Sequence, residues 1–148
     1  MSLTATVKDA VKAAMRAKEK ERLSALRLIT AEFKKVEVDE RIEVDDARAL
    51  QILDKMCKQR RDSIKQYQDA GRDELAAVEQ AEIDVISEFL PEAISDEELS
   101  QMVSDAIAQS GAAGMQDMGK VMGVLKPKVQ GRTDMGALSG KIKARLNA

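Results

Sequence analysis

Chemistry in this 148-residue chain must come from a short list of side chains. There is no histidine, which removes the commonest general base and the commonest transition-metal ligand. Cys57 is the single cysteine, so Cys/His zinc sites, an intramolecular disulfide, and Ser-His-Asp or Cys-His catalysis are all excluded. Carboxylates are plentiful, and paired carboxylates can do acid–base or metal chemistry. However, Asp73-Glu74 and Glu79/Glu82 read as an exposed helix face, and Cys57 falls on an apolar stripe where a thiol is buried and inert. No nucleophile, base and orienting group can be assembled. The chain by itself is therefore expected to have no catalytic residue, no metal site and no cofactor.

What remains is phosphate chemistry. Lys120, Lys126, Lys128 and Arg132 surround a proline and a glycine turn, and Lys141 and Arg145 form an i, i+4 pair. Lysine and arginine contact phosphates, and the release of counterions drives such binding. Lys120, Lys126, Lys128, Arg132 and Lys141 are the candidate RNA-binding residues. Lys8, Lys12 and Arg16 make a second basic stripe, and Lys55, Lys58, Arg61 and Lys65 a third. The competing reading of every such cluster is a solvated helix face that balances acids elsewhere.

The acids are elsewhere. The net charge of −2 hides a net of +4 in residues 1–68, −11 in residues 69–105 and +5 in residues 106–148. An acidic middle repels most of a long duplex, so nonspecific or specific DNA binding is not expected.

Helices must position these charges. Apolar residues make up 44% of the chain and aromatic residues 2%, so the core is built from Leu, Ile, Val, Met and Ala, which are mostly good helix formers. Periodicity predicts about seven helices and an all-α fold. The first covers about Leu3 to Lys18, with Leu3, Val7, Ala10, Val11, Ala14 and Met15 on one face. The second covers about Lys20 to Glu37, with Leu23, Leu26, Ile29 or Thr30, and Phe33 inside. After a connector over Val38 to Val44, Asp45 caps a third helix that carries Leu50, Leu53, Cys57, Ile64 and Tyr67, is interrupted by Arg60, and stops near Gly71. The fourth carries Leu75, Val78, Ile83, Val85, Ile86 and Phe89 and ends before Pro91.

Leu90-Pro91-Glu92 is the expected boundary between an N-terminal helical bundle, residues 1–91, and a C-terminal three-helix subdomain, residues 92–148. Ser95 to Glu98 reads as a capping box that opens the fifth helix, which runs to about Gln109. The sixth runs from about Asp117 to Leu125 and bends or stops at Lys126-Pro127. Asp134 caps the last, Met135 to Leu146. Gly119/Gly123 and Gly136/Gly140 are each four apart. Close helix–helix approach is the favoured reason, with approach of an RNA backbone as the alternative.

Several stretches resemble one family. Lys18-Glu19-Lys20-Glu21-Arg22-Leu23-Ser24-Ala25-Leu26-Arg27 is similar to its K-x-K-x-R-L-x-x-L-R stretch. Gln59-Arg60-Arg61-Asp62-Ser63-Ile64 with Tyr67 and Ala70-Gly71-Arg72, and Phe89-Leu90-Pro91, follow in the family's order. The segment from Met118 to Val129, with Gly131-Arg132-Thr133-Asp134, resembles its M-G-K-V-M-G-x-L-x-P-K-V-x-G-R-x-D signature. The chain is thus similar to the GatB/YqeY family, in its stand-alone YqeY-like form. Two departures stand out. Lys126 sits where the family often has an apolar residue, and Met135-Gly136-Ala137-Leu138 lacks the lysine of the commoner D-G-K-L version.

The resemblance implies an all-helical fold in two subdomains, the second of the GatB/YqeY type. In GatB, the related segment is a tail of a glutamine-dependent Asp/Glu-tRNA amidotransferase that helps hold the tRNA while other domains do the chemistry. A non-catalytic tRNA-binding or translation-associated accessory module is therefore expected. The alternatives are a protein-interaction module with no RNA role and, less favoured, a carbon–nitrogen ligase activity within a larger complex with glutamine as amido donor. The expected partners are tRNA or a translation-related protein. No membrane partner is expected. The first residues show neither the basic nor the apolar region of a signal peptide, which makes the cytoplasm the expected location.

Overall fold

The computed structural model describes residues 2–147. They form α1 (Leu3–Ala17), α2 (Lys20–Glu40), α3 (Asp46–Asp69), α4 (Asp73–Ser87), α5 (Asp96–Ser110), a 3₁₀ turn (Met115–Asp117), α6 (Met118–Val129) and α7 (Met135–Leu146). No strand occurs among the described residues, so the fold is all-α with seven α-helices. The chain divides into two compact units, the first ending at Pro91 and the second starting at Glu92.

The helix starts follow the capping chemistry of the sequence. Ser2 Oγ accepts the Ala5 amide at 3.2 Å, Asp45 the Arg48 amide at 2.8 Å, and Ser95 the Glu98 amide at 3.2 Å. Each satisfies a first-turn donor that the helix cannot. The helix stops are less legible. Gly71 and Gly111 take left-handed backbone with φ of 71° and 69°, as a glycine stop predicts. Beyond α3, the Arg72 amide reaches back to the Tyr67 carbonyl at 2.7 Å. But Lys18 and Arg41 adopt the same left-handed conformation with side chains, at φ of 58° and 55°. With no glycine to mark the stop, α2 continues to Glu40, and the expected connector shrinks to a few residues after it.

In the first unit, α3 packs most extensively on α4, and α1 on α2. The core is Val7, Ala14, Leu26, Ile29, Phe33, Leu53, Met56, Cys57, Ile83 and Ile86 with their neighbours. Five expected core residues lie outside it: Leu50, Tyr67 and Leu75 are only partly buried, and Met15 and Val78 are turned away altogether. Met15 and Val78 are exposed, because the buried stripes of their helices run through Val7 and Ala14, and through Ala76, Ile83 and Ile86. Ile52 and Met56 join Leu53 and Cys57 inside α3 instead. Cys57 is fully buried, and loss of solvation pushes its thiol pKa up.

The expectation that Glu79 and Glu82 form an exposed face is corrected by Arg60. Its side chain is only 15% exposed and lies between α3 and α4. Nε donates to Glu82 at 2.8 Å, Glu79 stands 4.0 Å away, and Nη1 donates to the Met56 carbonyl at 3.1 Å. The break in the apolar rhythm of α3 is therefore an ion-pair clamp. A partly buried guanidinium needs all of these acceptors.

The second unit closes around Leu99, Val103, Ala106, Val121, Leu125, Val129, Leu138 and Ile142. The spacings of three and four within each helix make one narrow stripe apiece. Here α6 runs through Pro127 to Val129, where a stop or bend is expected. Proline removes one amide donor but holds a helical φ, and buried Val129 anchors the last turn.

Replacing Arg60 with Ala is expected to lower the stability of the first unit by about 1–3 kcal/mol, the scale of a charge-assisted hydrogen bond with part of its desolvation cost. Urea denaturation of the two proteins measures it. A difference below about 0.5 kcal/mol, the range of ordinary surface substitutions, would show that the clamp contributes nothing.

Candidate nucleic-acid interface

The candidate residues separate when placed on the second unit. Lys120, Lys126 and Lys128 are exposed on α6. α6 carries no acid within its span. At about 100° per residue, Lys126 and Lys128 project on opposite flanks of the helix, and Lys120 lies two turns before Lys128. Between the flanks run Gly119, Gly123 and Pro127, all exposed. Lys126 and Lys128 also occupy the last turn, where cations complement the helix dipole whatever else they do.

Arg132 and Lys141 do other work. The Arg132 Nε donates to the Glu92 carbonyl at 3.0 Å, and its own carbonyl accepts the Ile94 amide at 2.9 Å. The residue thereby ties the start of the unit to the turn between α6 and α7. That turn depends on Gly131, which is buried with φ of 76°, in the left-handed region. Lys141 lies 3.5 Å from Ser100 Oγ, and Arg145 donates to Ser104 Oγ. The i, i+4 basic pair on α7 thus matches an i, i+4 serine pair on α5, and because both pairs run in the same order the two helices are parallel there. The five candidates do not form one cluster. Three share α6, one braces the unit, and one faces α5.

The glycine pairs do not mediate the helix contact favoured from their spacing. A side-chain carbon added at Gly119, Gly123 or Gly140 would meet nothing within 4 Å, and at Gly136 only the Asp134 carboxylate, at 3.5 Å. The apolar stripes through Val121, Leu125 and Val129, and through Leu138 and Ile142, make the contacts instead, which turns the glycines outward. The face between the α6 lysines is therefore close to bare backbone.

Asp117 is the site residue that sequence reasoning missed. Its Oδ2 accepts the Ala113 amide at 3.0 Å, and its Oδ1 stands 3.5 Å from Lys120 Nζ. Donation from the Ala113 amide, helped by the charge of Lys120, holds this carboxyl below the ordinary aspartate range. The signal was an acid just before a lysine-bearing helix, at i, i+3 from Lys120. Lys120 itself stays 69% exposed, so the pair constrains it weakly.

Residues 4–146 match the family model described as "Yqey-like protein". The chain belongs to the YqeY-like family. Among curated relatives, the "Altered inheritance of mitochondria protein 41, mitochondrial" of Pyrenophora tritici-repentis is 28% identical over 141 residues, covering 93% of this chain and 77% of that protein. The protein of the same name from Meyerozyma guilliermondii is 33% identical over 126 residues, covering 81% of this chain and 65% of its own length. Both relatives extend beyond the matched region. Among the described residues, no helix of this YqeY-like chain is long and apolar enough to cross a membrane.

Two outcomes test this arrangement. Changing Gly119 and Gly123 to Ala is expected to raise thermal stability, by about 0.5–1 kcal/mol for each site, because the added methyl groups meet open space. A fall in melting temperature would mean the glycine face is packed after all. For Asp117 the native pKa is lowered, so its charge contributes stability that is present above the unfolded-state value, about 3.9, and is lost as the pH falls through the native value. The melting-temperature gap between the wild type and Asp117→Asn should therefore be widest near neutrality and narrow at pH 3. A constant gap would contradict it.

Proposed function

We propose that this YqeY-like protein is a non-catalytic accessory module that binds tRNA through α6 of its second unit. The observation that carries the reading is the exposure of Lys120, Lys126 and Lys128 on a helix with no acid of its own. It sits in a chain whose carboxylates are concentrated in residues 69–105. A polyanion is repelled by such a segment, and α6 adds no carboxylate of its own to that repulsion. The bare face at Gly119 and Gly123 lets a sugar-phosphate strand come close to the helix, with lysines on either flank to neutralise it. Resemblance to the tail of the GatB subunit supports the choice of tRNA, and the chain contains no counterpart of the catalytic regions of that enzyme. Arg132 and Lys141 act here as braces that hold α6 and α7 in place.

The proposal keeps the cytoplasm as the location of this chain. "Mitochondrial" is part of the names of the two fungal relatives and is said of those proteins.

The test is a titration of the purified protein with bulk deacylated tRNA at several salt concentrations, with a DNA duplex of equal charge as control. Saturable binding that prefers tRNA and weakens steeply with salt is expected. Replacing Lys120, Lys126 and Lys128 together with Ala should reduce the slope of log affinity against log salt by roughly 2–3, since each phosphate contact contributes about 0.7–0.9. Unchanged affinity and slope in the triple variant, or no binding at low salt, would sink the reading.

A further inference from the structure

The first unit carries a surface that tRNA binding leaves unused. Between α2 and α4 lies an open groove of about 560 Å³. Ala25, Ala77 and Ala81 form its floor, and Val78 and Val85 line it along α4. α4 already buries one apolar stripe in the core through Ala76, Ile83 and Ile86. The groove residues are a second stripe on the same helix, turned outward, with Val78 57% exposed. On α2, Leu28 lies one turn beyond Ser24 and Ala25 and is 39% exposed, so the apolar track continues along that helix. A solvated helix face needs no second apolar stripe, and one beside alanines marks a surface that another element covers.

The charge around the groove selects the occupant. Asp73, Glu74, Glu79, Glu82 and Asp84 give α4 five carboxylates, with no basic residue in the helix. The charged residues that line the groove are Glu21, Arg22 and Glu82. Arg22 is taken up by Glu88, just past the helix, and Glu82 by Arg60. Among the described residues Glu21, like Asp84 beside the groove on α4, makes no ion pair. With Arg22 already paired, the charge left free at and beside the groove is acidic, and over small residues it fits a helix that presents apolar anchors at i, i+3, i+4 and i+7 and Lys or Arg on its flanks. The alanines let such a helix come close, and the volume is that of a site for a few large side chains. A second copy of this chain is a poor occupant. Its own basic helices, α1 and α7, already bury Val7 and Ala14, and Leu138 and Ile142, in their cores.

We propose that the α2–α4 groove is a docking site for a basic amphipathic helix of a partner protein. The probe is a fluorescein-labelled synthetic 18-residue peptide with leucines at that spacing and lysines at the remaining positions. Its control replaces every lysine with glutamate. Fluorescence anisotropy with the full chain should show saturable binding of the lysine peptide and at least tenfold weaker binding of the control. Ala77→Gln with Ala81→Gln fills the floor without changing charge at two exposed helical positions, and should weaken the lysine peptide at least tenfold while the circular dichroism melt stays intact. Glu21→Gln with Asp84→Asn should weaken it severalfold. The Ala variant of Lys120, Lys126 and Lys128 should leave it unchanged, which separates this site from the RNA surface. Equal binding of both peptides, or unchanged affinity in the Ala77→Gln/Ala81→Gln protein, would overturn the proposal. So would a dimer in sedimentation that the same double variant dissociates, since the groove would then be covered by a second copy.

Discussion

The first unit depends on how α3 hides a narrow stripe. That helix is 24 residues long and charged on most of its surface, and alone in water it would have little reason to hold together. Ala49, Ile52, Leu53, Met56 and Cys57 give it one buried edge, and α4 supplies the facing residues Ile83 and Ile86. Because the aromatic content is so low, that contact is made by aliphatic side chains that need close approach to gain much from dispersion. Arg60 fixes the register of the two helices where the apolar stripe gives out, with Glu79 and Glu82 as its counterions.

This arrangement explains why α4 can carry so many acids. Glu79 and Glu82 are partly neutralised by the clamp, and Asp73 and Glu74 lie in the first turn, where carboxylates favour the helix dipole. Glu74 is further held below its ordinary range by a hydrogen bond from Arg72. The opposite logic applies to Lys126 and Lys128, in the last turn of α6 in the second unit, while Lys120 lies in its first turn. Part of the charge on each helix, Asp73 and Glu74 on α4 and Lys126 and Lys128 on α6, thus sits at the end it complements. The segregation of charge along the sequence is therefore compatible with stable helices. It also leaves two helices of opposite character, α4 with carboxylates and no basic residue and α6 with lysines and no acid.

The second unit is held by smaller devices. Gly131 permits a turn that a side chain would strain, and Arg132 uses both its backbone and its guanidinium to secure the segment from Glu92 to Ile94. The Ser100/Ser104 pair receives Lys141 and Arg145. These contacts draw the rim residues of the unit inward and leave the middle of α6 as its open basic face.

Local chemistry made much of the architecture legible in the sequence alone. Asp45, Ser95 and Asp134 cap the helices they precede, since the donors they satisfy lie within three residues. Apolar spacing identified Leu26 and Phe33 in the core of α2 and the family signature identified the helix of lysines, as both are properties of neighbouring residues. Tertiary structure alone decided what needed a distant partner. Arg60 belongs to a clamp because Glu79 and Glu82 face it from another helix, and Arg132 is a brace because Glu92, forty residues earlier in sequence, lies beside it. Val78 lies outside and the glycines face solvent because a helix has several candidate faces, and only packing selects the one it buries.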